Sequence, residues 1–260
     1  MGCRISVVTV CYNAVDCIEQ TMLSVLDQTY HDIEYIIIDG GSTDGTVDII
    51  KKYADRLAYW ISEPDKGIYD AMNKGIAVAT GDYINFMNAG DTFRDQSSIY
   101  TYVDVIKPES EIIYGDVIIK YHSRFQYRKP LWLDHLSECL PFCHQSVIVK
   151  TGLLRDRQFD TSYRILGDYD FFYSCYKRGL CFQYIPEALS VYDSTEGVSK
   201  DCLSEIMAEK FRIWGIEHNW LLKLPWQVKL IKDKSSHAIK KILPPCLDLQ
   251  IKGLLYKFRR

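Results

Sequence analysis

The 260-residue chain is long enough for one sizeable α/β domain with its own core and an appendage. A content of 47% hydrophobic and 25% charged residues is ordinary globular usage and excludes a disordered or fibrous protein. The net charge of −3 is uneven: residues 221–260 carry ten Lys or Arg against Asp233 and Asp248, a local +8 that leaves −11 on residues 1–220. An acidic body argues against nucleic acid as its partner. The basic tail, with its interleaved apolar residues, suits either an anionic membrane surface or a helix packed on the body.

The nine cysteines are odd in number, include no CxxC pair and are expected to be reduced thiols. Cys139, Cys143 and His144 lack a second ligand pair at zinc spacing, so no zinc site is expected there. The N-terminal MGCRISVVTVCYN runs directly into a strand pattern, so no secretory leader is expected. No stretch reaches the roughly 18 uncharged apolar residues of a spanning helix.

In chain order, residues 4–10 read as a buried strand ending in Cys11-Tyr12-Asn13-Ala14. The segment 16–28 reads as a helix, since Ile18, Met22, Val25 and Leu26 share one face and Asp16 can support its start. Residues 33–38, IEYIII, barely alternate, as expected of a parallel strand covered on both faces. A helix at 45–56, a strand at 57–61, a helix at 68–79 and a strand at 82–87 continue the alternation. Further strands are predicted at 111–120, 124–129, 144–149 and 181–192, with a helix at 168–178, so antiparallel additions to the parallel sheet are expected. Met207, Phe211 and Trp214 have helix spacing, and Leu247, Ile251, Leu254, Leu255 and Phe258 form an apolar stripe after Pro244-Pro245. The rhythm predicts a doubly wound α/β half-domain with its ligand crevice at the carboxyl ends of the strands.

Two loops at such ends carry chemistry. Asp39-Gly40-Gly41-Ser42-Thr43-Asp44-Gly45 offers a carboxylate and glycine-freed backbone N–H groups, which can hold a nucleotide but also make a plain turn. It has neither GxGxxG spacing nor the GK[ST] of a P-loop. Met87-Asn88-Ala89-Gly90-Asp91 supplies hard oxygen ligands suited to Mg²⁺ or Mn²⁺, which rely on one or two protein carboxylates plus substrate phosphates, and again can be only a turn. Trp132, Tyr114 and Tyr163 could stack on sugar rings or simply pack.

Over about residues 4–200 the chain resembles the family 2 glycosyltransferases, on the strength of ISVVTVCYN, IIIDGGSTDGT, EPDKGIYDAMNKGIAVATGDYINFMNAGD, CHQSV and GDYDFFY in that order. The resemblance implies a GT-A fold, a Rossmann-like mixed sheet with helices on both faces. It also implies an inverting transferase that uses a nucleotide-diphosphate sugar, commonly a UDP-sugar, with a divalent cation, Mn²⁺ or Mg²⁺. It divides the chain into a catalytic domain at 1–200 and a basic helical extension at 201–260. Thr9 and Tyr12 match the first donor-binding loop, Asp39 the residue that meets the nucleobase, and Asp65 and Lys66 the stretch that closes over the donor. Asp91 matches the last acidic position of the metal-binding DxD-type motif, in the variant form NAGD, with Asn88 and Gly90 where other members carry Asp. Asp168 matches the acidic residue beneath the acceptor and is the expected base, with Asp170 as its rival. His144 matches a position near the diphosphate or the acceptor.

The acceptor expected from the resemblance is a saccharide or lipid-linked hydroxyl in surface polysaccharide or glycoconjugate assembly. The expected location is cytoplasmic, peripheral on the inner face of the membrane through the basic tail. The alternative reading is a nucleotide-sugar-binding GT-A protein without turnover, which the thinned DxD pattern keeps open. A nucleotidyltransferase would need a basic, glycine-rich phosphate loop near the N-terminus, and Thr9-Val-Cys-Tyr-Asn13 is neither.

Overall fold

The computed structural model describes residues 2–195 and 203–219. The chain divides into two compact units, residues 1–206 and 207–260. The first is a mixed α/β unit built on one sheet.

Strand β1 (Ile5–Cys11) is buried along its whole length, which its run of β-branched residues anticipates. Parallel strands β2 (Ile33–Asp39) and β4 (Tyr83–Phe86) flank it, and β3 (Tyr59–Ser62) pairs outside β2. Helices α1 (Ile18–Leu26), α2 (Thr46–Lys52) and α3 (Ile68–Val78) link these strands. Ile18, Met22 and Val25 of α1 are buried, as their spacing predicts. Asp16 does not cap this helix: its N-cap is Cys17, and the first turn closes on the Ala14 carbonyl. Helix α3 lies so close to β1 that a Cβ on Gly75 would stand 2.4 Å from Val8 Cγ1, so this position requires glycine.

Beyond β4 the sheet becomes mixed. It takes in β5 (Thr92–Phe93), β6 (Ile112–Tyr121), β7 (Arg124–Arg128), β8 (Val147–Lys150) and β9 (Phe182–Asp193), in the order β3-β2-β1-β4-β8-β6-β9-β5 with β7 on β6. Strand β8 runs antiparallel to both β4 and β6, and β9 runs parallel to β6. The antiparallel additions are therefore present. Strand β8 starts three residues later than expected, because His144–Ser146 form a 3₁₀ turn and His144 does not open the strand. Helices α4 (Ser98–Val103) and α5 (Thr151–Asp156) were not legible in the sequence; α6 (Gly167–Lys177) was. Helix α7 (Leu203–Ile213) follows. The stripe from Leu247 to Phe258, with the whole basic tail, lies outside the described residues.

The abundant tyrosines serve the core in two ways. Their rings pack, as in Tyr114 against Phe142 at 4.8 Å between centroids, and Tyr69 against Phe159 at 5.5 Å. Their hydroxyls satisfy buried carbonyls, as Tyr83 does for Ser110 and Tyr169 for Leu136. Tyr114 and Tyr163 are among these buried residues and present no ring to a sugar, whereas Trp132 is exposed.

Candidate active site

The carboxyl ends of β1, β2 and β3 fall in register, so Cys11, Asp39 and Ser62 lie side by side across three strands. The outer two both point a donor at the middle one. Asp39 accepts from Ser62 Oγ at 2.6 Å, Ser42 Oγ at 2.5 Å, the Ser42 and Gly41 amides at 2.9 and 3.1 Å, and Cys11 Sγ at 3.4 Å. Asp39 is thus a fully buried knot that shapes the glycine turn, and it does not present an open carboxylate.

Burial alone would raise the Asp39 carboxyl, but the donors from Ser42, Ser62 and Cys11 outweigh it and hold its pKa below the ordinary value. A depressed folded pKa means that the stabilisation is complete above the unfolded value of about 4 and is lost as pH falls through the lower, folded value. Melting temperature should therefore drop more steeply below about pH 4 in the wild type than in Asp39→Asn. Equal slopes would show that Asp39 carries no such stabilisation.

The two loops beyond these strand ends are laced together. Asn13, at a left-handed φ of 47°, donates its amide to Ser42 Oγ at 2.7 Å and accepts from the Thr43 amide at 3.0 Å. Asp44 accepts the Val15 amide at 3.0 Å. Asn tolerates the left-handed region better than most residues, so this loop has local support. The lacing leaves Tyr12 65% exposed beside Gly40, where a Cβ would stand 2.4 Å from Asp65 Oδ2 and 3.4 Å from the Tyr12 ring. Tyr12, Asp39 and Asp65 thus meet around Gly40. Lys66 follows Asp65 with an exposed side chain, and its amide donates to Asp70 at 3.0 Å. Thr9 does not belong to this loop. It lies inside β1, fully buried, with its hydroxyl 3.0 Å from that of Tyr35.

The second cluster is organised by Cys143-His144-Gln145-Ser146, each of which has a partner. Cys143 Sγ donates to Gln145 Oε1 at 2.7 Å, and Gln145 Nε2 donates to Asp91 Oδ2 at 2.7 Å. Ser146 Oγ lies 2.6 Å from Ser190 Oγ. His144 Nδ1 is 3.1 Å from Asp168 Oδ2, and its Nε2 is 3.1 Å from Asn88 Nδ2. With Asp168 ionised, Nδ1–H donates to it and Nε2 accepts the Asn88 amide hydrogen, so the neutral imidazole fits both neighbours. The 3₁₀ turn therefore ties the loop after β4 to the start of α6.

Asp168 stands in the first turn of α6 and accepts from its neighbour's amide, Tyr169 N, at 2.8 Å; Tyr69 OH lies 3.1 Å away and shares its single hydrogen between Asp168 and the Ile165 carbonyl, which is nearer at 2.7 Å. The Tyr69 ring occupies the space a Cβ on Gly167 would need, which brings that hydroxyl to Asp168. A small cavity lined mainly by apolar side chains, among them Phe86, Phe159 and Phe172, backs the His144–Asp168 pair. Asp170, the rival base, is committed elsewhere: Arg157 Nη2 donates to its carboxylate at 2.7 Å.

Asp91 is turned into the protein. It is 5% exposed, and its second oxygen accepts the Asp193 amide at 2.9 Å. Burial pushes its carboxyl up to about 6 despite these hydrogen bonds. Gly90 contributes no side chain, and Asn88 Oδ1 is a single buried oxygen without a partner. Among the described residues no group of three or more His, Cys, Asp or Glu is placed to hold a metal ion. Each Asp91 oxygen accepts one hydrogen bond and keeps a second lone pair, so a cation held here would take its other ligands from donor phosphates and water.

The sequence reading missed Gln145, Tyr69 and Asn13. All three stood inside stretches that carried the resemblance, but only their partners were singled out.

Residues 6–181 match the profile of Glycosyl transferase family 2. A PGL/p-HBAD biosynthesis glycosyltransferase of Mycobacterium tuberculosis is 32% identical over 184 residues, covering 68% of this chain and 71% of that protein. An uncharacterized glycosyltransferase of the same species is 41% identical over 139 residues, covering 53% of this chain and 50% of its own. Among solved structures, S. aureus TarS 1–349 in complex with UDP superposes with a TM-score of 0.65 at 18% identity, covering 82% of this chain and 65% of TarS 1–349. The mannosyltransferase PcManGT of Pyrobaculum calidifontis, in complex with GDP-Man and Mn²⁺, gives a TM-score of 0.65 at 18% identity, covering 100% of this chain and 82% of its own. At that identity these two likenesses speak to the fold, which is the mixed α/β architecture described above.

Proposed function

The chain belongs to glycosyl transferase family 2, and on that premise we propose that it transfers a sugar, with inversion, from a UDP-sugar to an acceptor hydroxyl. The observation that carries the reading is the meeting of Asp168, His144 and Asn88, drawn from three separate segments. Asp168 takes the proton as the acceptor oxygen attacks the anomeric carbon. The bond from that carbon to the diphosphate oxygen breaks with inversion, and the nucleoside diphosphate leaves with the electron pair. His144 positions the carboxylate through Nδ1–H, and Tyr69 supports its other oxygen. A positioned base of this kind contributes about 10²–10⁴-fold.

Tyr12, the Gly40–Gly41 turn, Asp65 and Lys66 frame the nucleotide end, and Lys66 is free to swing onto a phosphate. Asp39 acts there by fixing the turn. No step is routed through a cation; Asp91 is the carboxylate that would hold one together with the donor phosphates, and the ion would offset the charge on the departing diphosphate. Residues 1–200 constitute the catalytic domain in this reading. The name of the mycobacterial relative supports an acceptor in glycoconjugate assembly. The thinned NAGD motif, with Asn88 and Gly90 where other members carry Asp, favours a second reading, donor binding without turnover.

A panel of nucleotide sugars, with and without Mn²⁺, scored by thermal shift and by release of nucleoside diphosphate, tests both. At least one UDP-sugar should raise the melting temperature and be turned over. Saturation at about a hundred times the dissociation constant adds about 2.7 kcal/mol of stability. Binding without turnover by any acceptor or by water would favour the second reading. If no donor binds or turns over, both fail.

A further inference from the structure

Among the described residues strand β7 pairs with β6 alone, at an edge of the sheet, and all five of its residues are exposed. Of its two aromatic residues, Tyr127 donates its hydroxyl to the buried Asp116, whereas Phe125 makes no ring contact among the described residues. Phe125 is 65% exposed and Tyr127 51%, and shortly beyond the strand Leu131 is 51% and Trp132 82% exposed. The same stretch is basic. Residues 117–133 contain Lys120, Arg124, Arg128 and Lys129 and no acidic residue, within a body that is otherwise strongly acidic. Lys120 pairs with Asp193 at 2.9 Å; Arg124, Arg128 and Lys129 have no salt bridge among the described residues.

We propose that the β6–β7 hairpin, with Leu131 and Trp132, docks on an anionic phospholipid bilayer. The alternation of a strand puts Phe125 and Tyr127 on one face and Arg124 and Arg128 on the other. A strand lying along the headgroup plane can bury the rings at the acyl boundary while the long arginine side chains reach lipid phosphates. Exposed Trp and Tyr favour that boundary. An acidic body is repelled by an anionic membrane, so its approach requires a local reversal of charge, and the hairpin supplies one. A soluble polyanion would use the cations and leave the exposed Phe125 and Trp132 rings without a role. The docking surface shares no residue with those assigned to transfer, so either proposal can fail alone.

The test is flotation of the full chain with vesicles of phosphatidylcholine mixed with phosphatidylglycerol, compared with phosphatidylcholine alone. Wild type should float with the anionic vesicles only. The triple variant Arg124→Gln/Arg128→Gln/Lys129→Gln should lose affinity about a hundredfold, from about fivefold per basic residue. The variant Phe125→Ser/Trp132→Ser should also lose binding. Both should keep the wild-type melting temperature and donor-induced thermal shift, which establishes that they fold. The proposal is overturned if wild type does not float, or if either folded variant floats as wild type does. Retained binding by the Ser variant alone would mark the surface as a contact for any polyanion.

Discussion

Asp168→Asn should reduce sugar transfer by about 10²–10⁴-fold while leaving donor affinity unchanged. The substitution is nearly isosteric: the Asn carbonyl in the Oδ1 position still accepts from the Tyr169 amide and Tyr69 OH, and its NH₂ group can donate to His144 Nδ1 in the other tautomer, with the Asn88 amide flipped to accept from Nε2–H, so the geometry around α6 survives. Only the capacity to take a proton is lost. The loss should therefore appear in kcat with little change in the donor KM, the signature of an interaction made in the transition state. Asp170→Asn offers the contrast. It weakens the pairing with Arg157, which is one-third exposed, and should cost stability of at most about 1 kcal/mol without touching transfer. His144→Gln keeps a hydrogen bond to Asp168 but loses the rigid two-sided imidazole, and should fall between the two. If Asp170→Asn is the inactive variant and Asp168→Asn retains activity, the base has been assigned to the wrong carboxylate.

The first half of the fold was legible because its strands are continuous β-branched runs and its helices have a clean apolar face. Residues 33–38 and the stripe from Ile18 to Leu26 are the plainest cases. The second half was less so, because α4 and α5 are six residues each, too short for periodicity to register, and His144–Ser146 look extended in sequence. At the site, residue types were legible but their engagement was not. A sequence shows that Asp39, Asp91 and Asp168 follow strand ends or open a helix. It does not show that two of them are turned inward, Asp39 onto donors from Ser42 and Ser62, Asp91 onto Gln145 and the Asp193 amide. That depends on contacts spanning up to about a hundred positions, which local pattern does not encode. The third, Asp168, sits 14% exposed between His144 and Tyr69.

Asp91→Ala should lower stability by about 2–4 kcal/mol, because the Gln145 amide and the Asp193 backbone N–H are both left buried without an acceptor. For a domain of this size the melting temperature should fall by about 5–15 °C. The drop should be the same with and without Mn²⁺, since the lost bonds are internal to the protein. Asp91→Asn should be milder. Its single carbonyl can serve one donor, and a flipped Gln145 amide can offer its oxygen to the new NH₂ group, at the loss of the Cys143 thiol bond. Removing the charge also relieves a carboxylate that burial holds at a pKa of about 6, so some of the loss is returned near neutrality. The sign is opposite to that of Asp39. A raised folded pKa stabilises at low pH, and its contribution declines as pH rises from about 4 toward 6. The difference in stability between wild type and Asp91→Asn should therefore widen as pH is lowered across that window. An Asp91→Ala protein that melts as wild type does, yet loses a Mn²⁺-dependent thermal shift, would make Asp91 a metal ligand. It would also require the loop from Asn88 to Asp91 to turn its carboxylate outward when donor arrives.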